Sequence, residues 1–161
     1  MRVTPLELVL LAGAALVAAA LVLQAHRGAG GARSRTVLAS WSRTPGALNP
    51  AVTQATIGST ICRRGWTATV RPPVSYTNAL KLRQLAQYGL RGPPSAFQED
   101  HLISLELGGD PVDPRNLWPE PYPRAAAVDR IENELRSRVC SGALSLAAAQ
   151  AVESDLKHRQ G

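Results

Sequence analysis

The chain has 161 residues and a formal net charge of +6, and 45% of its residues are hydrophobic. This length predicts one domain of modest size. With two cysteines in all, the chain cannot build a four-ligand zinc cage from cysteine alone. The positive charge suits a polyanionic partner such as nucleic acid or an anionic membrane surface, although a soluble protein of high isoelectric point would have the same composition.

The N-terminus contains an unbroken apolar run, LVLLAGAALVAAALVL, over residues 8–23. Its length lies between the core of a signal peptide and a full membrane span. The arginines that follow the run favour a cytoplasmic body by the positive-inside rule, whereas a disulfide would favour export. We favour export, and expect residues 1–26 to form an apolar helix that is a signal peptide or a membrane anchor. The body is then extracytoplasmic, and it is either secreted or, if the segment is uncleaved, attached to the membrane.

Cys62 and Cys140 are the only thiols of the chain. In an exported domain we expect them to pair as a disulfide, because secreted proteins oxidise their cysteines. The alternative is two buried free thiols.

The first half of the body predicts a linker, a strand and a helix. Residues 27–58 are frequent in Gly, Arg, Ser and Pro without a period, which indicates linker and loop. Residues 60–71 alternate around Trp66 and predict a short strand. Thr77 is expected to cap a helix over residues 78–88 that ends at Gly89, with Leu82, Leu85 and Tyr88 on one face.

The second half predicts a hairpin followed by two helices. Residues 97–107, FQEDHLISLEL, alternate as a strand does, residues 108–111 break the pattern, and residues 116–119 offer a short return strand. Residues 125–139 predict a helix that presents Val128, Ile131 and Leu135 on one face. Ser145 is expected to open a last helix. The apolar side of that helix is expected to consist of Leu146, Ala149, Val152 and Leu156.

Hydrolysis of a phosphodiester needs a base that activates water and a cation that neutralises charge on the phosphate. The series Asp100-His101, Gly108-Gly109 and Asn116-Leu117-Trp118-Pro119 resembles the HNH endonucleases, the ββα-metal group. The wider layout of residues 45–156 is similar to small exported bacterial proteins with an HNH-like core. The resemblance implies an α+β fold with a ββα-metal hairpin–helix core and flanking helices, in an HNH-like nuclease domain over residues 59–161. It also implies roles for the motif residues: Asp100 ligates the metal, His101 is the general base and Asn116 holds the loop across the hairpin.

The third metal ligand of the family comes from the helix after the hairpin, but the corresponding residue here is Ala125, which has no donor. Asp129 and Glu132 lie three residues apart and so share a helix face. Both offer the hard oxygens that suit Mg²⁺ or Mn²⁺, and Asn133 is a further candidate. We expect one of these three side chains within about 6 Å of the Asp100 carboxylate.

The expected function is metal-dependent hydrolysis of nucleic acid, with DNA favoured over RNA and Mg²⁺ or another divalent cation such as Mn²⁺ as cofactor. Arg115 and Arg124 are weaker candidates for phosphate binding, and no protein partner is inferred. Trp66 and Trp118 are expected in the core rather than as platforms for bases. Two alternatives remain: a non-catalytic ββα module that binds nucleic acid, and a structural protein of the cell envelope.

Overall fold

The structure is a computed structural model that describes residues 37–160. The apolar segment expected within residues 1–26 lies outside these residues. No helix in the described part of the chain is both long and apolar enough to cross a membrane.

The centre of the fold is a two-stranded antiparallel hairpin of β1 (Phe97–His101) and β2 (Leu117–Pro121), with Phe97 opposite Pro121 and His101 opposite Leu117. The expected hairpin is therefore present, but the prediction that its first strand runs to residue 107 was wrong. Leu102 and Ile103 are both buried, so neighbouring side chains do not alternate between two faces there. The chain instead turns into a loop that contains a 3₁₀ turn at Leu105–Leu107.

Four α-helices surround the hairpin in an α+β arrangement, within residues 37–160. They are α1 (Trp66–Val70), α2 (Val74–Gln87), α3 (Tyr122–Cys140) and α4 (Leu146–Arg159). The α3 helix follows β2 directly, so the hairpin and the next helix are consecutive along the chain.

The strand expected around Trp66 is wrong, because these residues form α1. Trp66 and Val70 both pack on the core but Ala68 between them is exposed, whereas in a strand all three would share one face. The α2 helix also begins earlier than expected, at Val74 after Pro73, so Thr77 does not cap it. Gly89 follows the helix with φ of +65°, in agreement with its expected role as the stop signal.

The α2 helix turns a different side to the protein from the one expected. Leu85 is buried as predicted, but Leu82 is exposed. The buried residues are Leu80, Gln84 and Leu85. Leu80 and Gln84 are four residues apart and so lie on one face, and Leu85 widens that face.

The main core lies between α1, α3 and α4. Val128 and Leu135 of α3 are buried as expected, and Ile131 packs partly buried against the same core. The disulfide Cys62–Cys140 is confirmed, with Cα atoms 5.5 Å apart, and it joins the segment before α1 to the end of α3. Trp66 and Trp118 are both buried, as expected for core residues.

The α4 helix begins as expected, because the Ser145 hydroxyl accepts a hydrogen bond from the Ala148 amide at 3.2 Å. Its buried face differs from the prediction after the first two turns. Leu146 and Ala149 are buried, but the same face continues with Glu153 and Lys157, which are both fully buried. Val152 is exposed. The helix thus places two charged side chains beneath the hairpin loop.

Residues 37–58, expected as linker and loop, have little regular secondary structure but do pack on the rest of the body. Thr44 and Val52 are buried, and Leu48 forms an isolated antiparallel bridge with Gly109.

Candidate active site

The loop between the strands is held by the Asn116 side chain, which is fully buried. Its Oδ1 accepts the Ile103 amide at 2.9 Å, and its Nδ2 donates to the carbonyl oxygens of Ile103 at 3.0 Å and Asp110 at 2.9 Å. The expected bridging of the hairpin by Asn116 is therefore confirmed. Asn116 uses its amide for structure, and it fixes the loop that follows His101.

Gly109 lies against this amide. A Cβ atom at Gly109 would overlap the Ile103 carbonyl oxygen and lie within 2.5 Å of Asn116 Nδ2. Only glycine permits this approach, so the second glycine of the Gly108-Gly109 pair serves the same loop as Asn116.

His101, at the end of β1, is held as a neutral base. Its Nε2 lies 3.1 Å from the Pro111 carbonyl oxygen. Because a carbonyl oxygen can only accept, Nε2 carries the ring proton and Nδ1 carries the lone pair. Burial lowers the pKa of His101, against the raising effects of the Pro111 hydrogen bond and of Asp100. The imidazole is therefore neutral at neutral pH, which is the form that accepts a proton.

A pocket of about 300 Å³ brings together the predicted site residues of β1 and α3. Asp100 and His101 line it from the hairpin, and Asp129, Glu132 and Asn133 line it from α3. Arg71, which follows α1 and was not predicted from the sequence, lines the same pocket. The pocket is thus bounded by a neutral imidazole, several oxygen donors and one guanidinium.

Beneath the pocket lies the ammonium of Lys157, which sequence reasoning missed. It is 2.9 Å from Asp100 Oδ2, 2.7 Å from Glu132 Oε1 and 3.4 Å from Glu153 Oε1, and it also donates to the His101 carbonyl oxygen. Burial lowers the pKa of Lys157, but the surrounding carboxylates outweigh burial and raise it well above its usual range. Lys157 is therefore charged.

The other partners of Lys157 come from α3 and α4. Burial raises the pKa of Glu132 well above its usual range and also raises the pKa of Glu153, in each case against the lowering effect of Lys157. Both oxygens of Glu153 accept the Ser104 amide at 3.0 Å. The buried Glu153–Lys157 pair of α4 therefore contacts the Asp-His motif of β1 through Lys157 and the loop after β1 through Glu153.

Asp100 and Glu120 form an unequal pair of acids across the hairpin. Burial would raise the pKa of Asp100, but the charge of Lys157 and the neighbouring Glu120 outweigh it and lower the pKa to about 2. Burial and then the neighbouring Asp100 charge raise the pKa of Glu120 to about 9. At neutral pH Glu120 is therefore protonated beside an ionised Asp100, and within the described residues neither carboxyl oxygen of Glu120 has a hydrogen-bond partner. Sequence reasoning missed Glu120, although its spacing of two from the buried Trp118 indicates the same strand face.

The expected approach of α3 to Asp100 is confirmed for Glu132. Since both carboxylates contact Lys157 Nζ, their oxygens cannot be further apart than the two contact distances together, which is less than about 6 Å. However, it is an ammonium that lies between them. Burial, followed by the Asp100 charge, raises the pKa of Asp129, which places Asp129 within electrostatic reach of Asp100.

The two predicted phosphate contacts lie apart from this pocket. The Arg115 guanidinium is exposed and pairs with Asp113 at 2.5 Å, and it borders a second pocket with Arg43 and Arg83. Nε and Nη2 of Arg124 are buried with no hydrogen-bond partner among the described residues. Arg71 is the arginine that borders the Asp100 pocket.

The donor set fits Mg²⁺ or Mn²⁺ only in part. Glu132 Oε1 and Asp100 Oδ2 are bound to Lys157. Asp100 Oδ1 accepts a hydrogen bond from Gln98 Nε2 at 3.3 Å. Asp129 and Asn133 also line the pocket, and Mg²⁺ is often held by one or two carboxylates plus water. Within residues 37–160 no group of three His, Cys, Asp or Glu side chains is arranged to hold a metal ion.

Comparisons of the chain with family models, with curated proteins and with solved structures find no match.

Proposed function

We propose that the chain is a metal-dependent endonuclease of the HNH or ββα-metal type, which hydrolyses phosphodiester bonds in nucleic acid, with DNA favoured over RNA. The observation that carries the proposal is the neutral imidazole of His101, which shares one pocket with the Asp100 and Asp129 carboxylates and with Arg71. A base, hard oxygen donors and a cationic group for a phosphate oxygen are the parts that this reaction requires.

Each side chain of the pocket has a proposed role in this reaction. The Nδ1 atom of His101 takes the proton of the attacking water, and the Nε2 hydrogen bond to Pro111 keeps the ring in the required tautomer. Asp100 and Asp129 would hold a divalent cation on the pocket side. That cation, when bound, neutralises the charge that develops on the phosphate and the leaving oxygen. The Arg71 guanidinium binds a phosphate oxygen.

The proposed location is outside the cytoplasm. The Cys62–Cys140 disulfide supports it, because such bonds persist in oxidising compartments. Residues 1–26 would act as the signal peptide or the anchor. A phosphatase fused after residue 35 of the full chain should be active on the outer side of the membrane, and a fusion active only in the cytoplasm would contradict export.

Plasmid nicking by the purified full chain tests the proposed activity. We expect cleavage with Mg²⁺ or Mn²⁺ and none with EDTA. His101→Ala should lower the cleavage rate by at least about 10²-fold, because the imidazole acts in the transition state. DNA affinity, measured by fluorescence anisotropy, should stay nearly unchanged.

Arg71→Ala is the matched comparison in that assay. It should weaken DNA binding and so change the rate at low DNA concentration most strongly. Cleavage by His101→Ala at the wild-type rate would remove the proposed base.

A non-catalytic module that binds nucleic acid is the second candidate, and a specific observation favours it. The Lys157 ammonium lies between the two carboxylates expected to share a metal ion. DNA binding without cleavage under any divalent cation would select this candidate.

A further inference from the structure

The contacts of the Lys157 ammonium are all with oxygen atoms. Three carboxylates and one backbone carbonyl surround it, and its side chain has no exposed surface. These are the hard oxygen donors that Mg²⁺, Mn²⁺ and Ca²⁺ prefer. The separations of 2.7 and 2.9 Å to Glu132 and Asp100 are those of charged hydrogen bonds, and they exceed the 2.0–2.6 Å of metal–oxygen bonds.

The position of Lys157 also decides how the site is built. Through Asp100 Oδ2 and the His101 carbonyl oxygen it touches both residues of the Asp-His pair, and through Glu132 it ties them to α3. Because its ammonium is fully buried, it cannot reach a substrate in the pocket. Its contribution to any reaction is therefore made through Asp100 and His101, which makes it a positioning residue.

We propose that Lys157 is a built-in cation that occupies the place between Asp100 and Glu132, so that Glu132 is not a metal ligand. A divalent cation is then confined to the pocket side of Asp100. The confinement of a divalent cation to that side rests on the proposed nuclease function, whereas the role of Lys157 in the fold does not.

The first arm of the test removes the ammonium from between Asp100 and Glu132. In Lys157→Ala the carboxylates of Asp100, Glu132 and Glu153 surround a vacated volume, and their repulsion should lower Tm by about 10 °C. Millimolar Mn²⁺ should then raise the Tm of the variant by at least about 5 °C, against about 2 °C or less for the wild type. Lys157→Met is the matched variant, since it removes the charge but fills the volume, and Mn²⁺ should not rescue it.

A second substitution distinguishes binding of Mn²⁺ between these carboxylates from general stabilisation by Mn²⁺. Adding Glu132→Gln to Lys157→Ala removes one oxygen anion from the place and should reduce the rescue by Mn²⁺ to the wild-type level. If Lys157→Ala folds and Mn²⁺ does not raise its Tm, or if the rescue survives Glu132→Gln, the inference is overturned.

The second arm uses chains that retain Lys157, in case the alanine variant does not fold. Removal of metal with EDTA should leave the Tm of the wild type within about 2 °C. Calorimetric titration of the wild type with Mn²⁺ should show either no binding or binding at the pocket side of Asp100. In the second case Glu132→Gln should change the Mn²⁺ dissociation constant by no more than about twofold, and Asp129→Asn should weaken binding. A large loss of Tm in EDTA, or a loss of Mn²⁺ affinity in Glu132→Gln, would overturn the inference. These readouts need no nuclease activity, so they can fail independently of the proposed function.

Discussion

Glu120 should make the protein less stable as the pH rises towards neutrality, and Glu120→Gln should remove that loss. Glu120 is fully buried beside Asp100, and folding raises its pKa from 4.5 to about 9. The folded state therefore holds a proton that the unfolded state has released. For an acid whose pKa is raised on folding, the contribution to stability is fully present below pH 4.5 and is lost as the pH rises to about 9.

The size of the loss follows from the two pKa values. Each pH unit above the unfolded pKa of 4.5 costs about 1.4 kcal/mol until the folded group also ionises. At neutral pH the loss is then about 3 kcal/mol, which is a large part of the stability of an ordinary domain. Glutamine has nearly the same volume and does not titrate. We therefore expect Glu120→Gln to raise the free energy of unfolding by up to about 3 kcal/mol at neutral pH.

Urea unfolding of the wild type and of Glu120→Gln, followed by circular dichroism between about pH 4.5 and pH 9, measures this difference. The control is Glu134→Gln, an exposed position on α3 at which the change should stay within about 0.5 kcal/mol. The two curves should nearly meet at the acidic end and separate as the pH rises. Parallel curves would mean that Glu120 is ionised in the folded state, and the reasoning would fail.

Two further predictions concern the scaffold of the site. The double variant Cys62→Ser/Cys140→Ser opens a loop of 78 residues and should lower the free energy of unfolding by about 4–5 kcal/mol in the chain-entropy model, measured by urea unfolding; an unchanged midpoint would show that the disulfide adds no stability. Gly109→Ala places a methyl group against the Ile103 carbonyl and should cost more than about 3 kcal/mol, whereas Gly58→Ala, which meets nothing within 4 Å, should have little effect. Equal effects of the two alanines on Tm would contradict the close approach at Gly109.

The parts of the fold that sequence reasoning found are those with local signals. The Ser145 hydroxyl bonds the Ala148 amide three residues on, and Gly89 adopts a positive φ directly after α2. Asn116 was found because the loop motif that contains it is short and ordered. For Ser145 and Gly89 the residue that carries the signal and the structure it produces lie within a few positions of each other, whereas Asn116 bonds Ile103 and was found through the motif that resembles the HNH family.

The parts that sequence reasoning missed depend on partners far along the chain. The alternation around Trp66 resembles a strand, but Trp66 packs in a core with residues such as Leu135 and Val139, which α3 supplies. The expected strand over residues 97–107 ends at His101 because the Asn116 side chain, rather than a strand neighbour, bonds the Ile103 backbone. In both places tertiary contacts override a local pattern.

Lys157 is the missed residue with the greatest consequence, and a signal for it was present. Leu146, Ala149, Glu153 and Lys157 follow one another at spacings of three, four and four, so they continue a single helix face. The face that continues through Val152 and Leu156 is more hydrophobic and was therefore predicted to be buried. Hydrophobic periodicity alone cannot recognise a charged pair that is buried. Glu153 and Lys157 are buried together since each neutralises the other, and the acids of β1 and α3 add to that balance.

Glu120→Gln and Lys157→Ala both change the balance of charge beneath the pocket, so their effects can be compared. Asp100, Glu132 and Glu153 contact the buried Lys157 ammonium. Glu120 lies within reach of its charge, so these acids can be accommodated only with protons or a further cation. Glu120→Gln removes an acid that needs a proton, and Lys157→Ala removes the cation that the acids share. The first change should therefore stabilise the protein at neutral pH, and the second should destabilise it until a divalent ion replaces the ammonium. If the interior were instead hydrated enough to screen these groups, both variants would change the free energy of unfolding only slightly. The pKa of Glu120 would then not be raised, and Lys157 would not be needed to neutralise the acids.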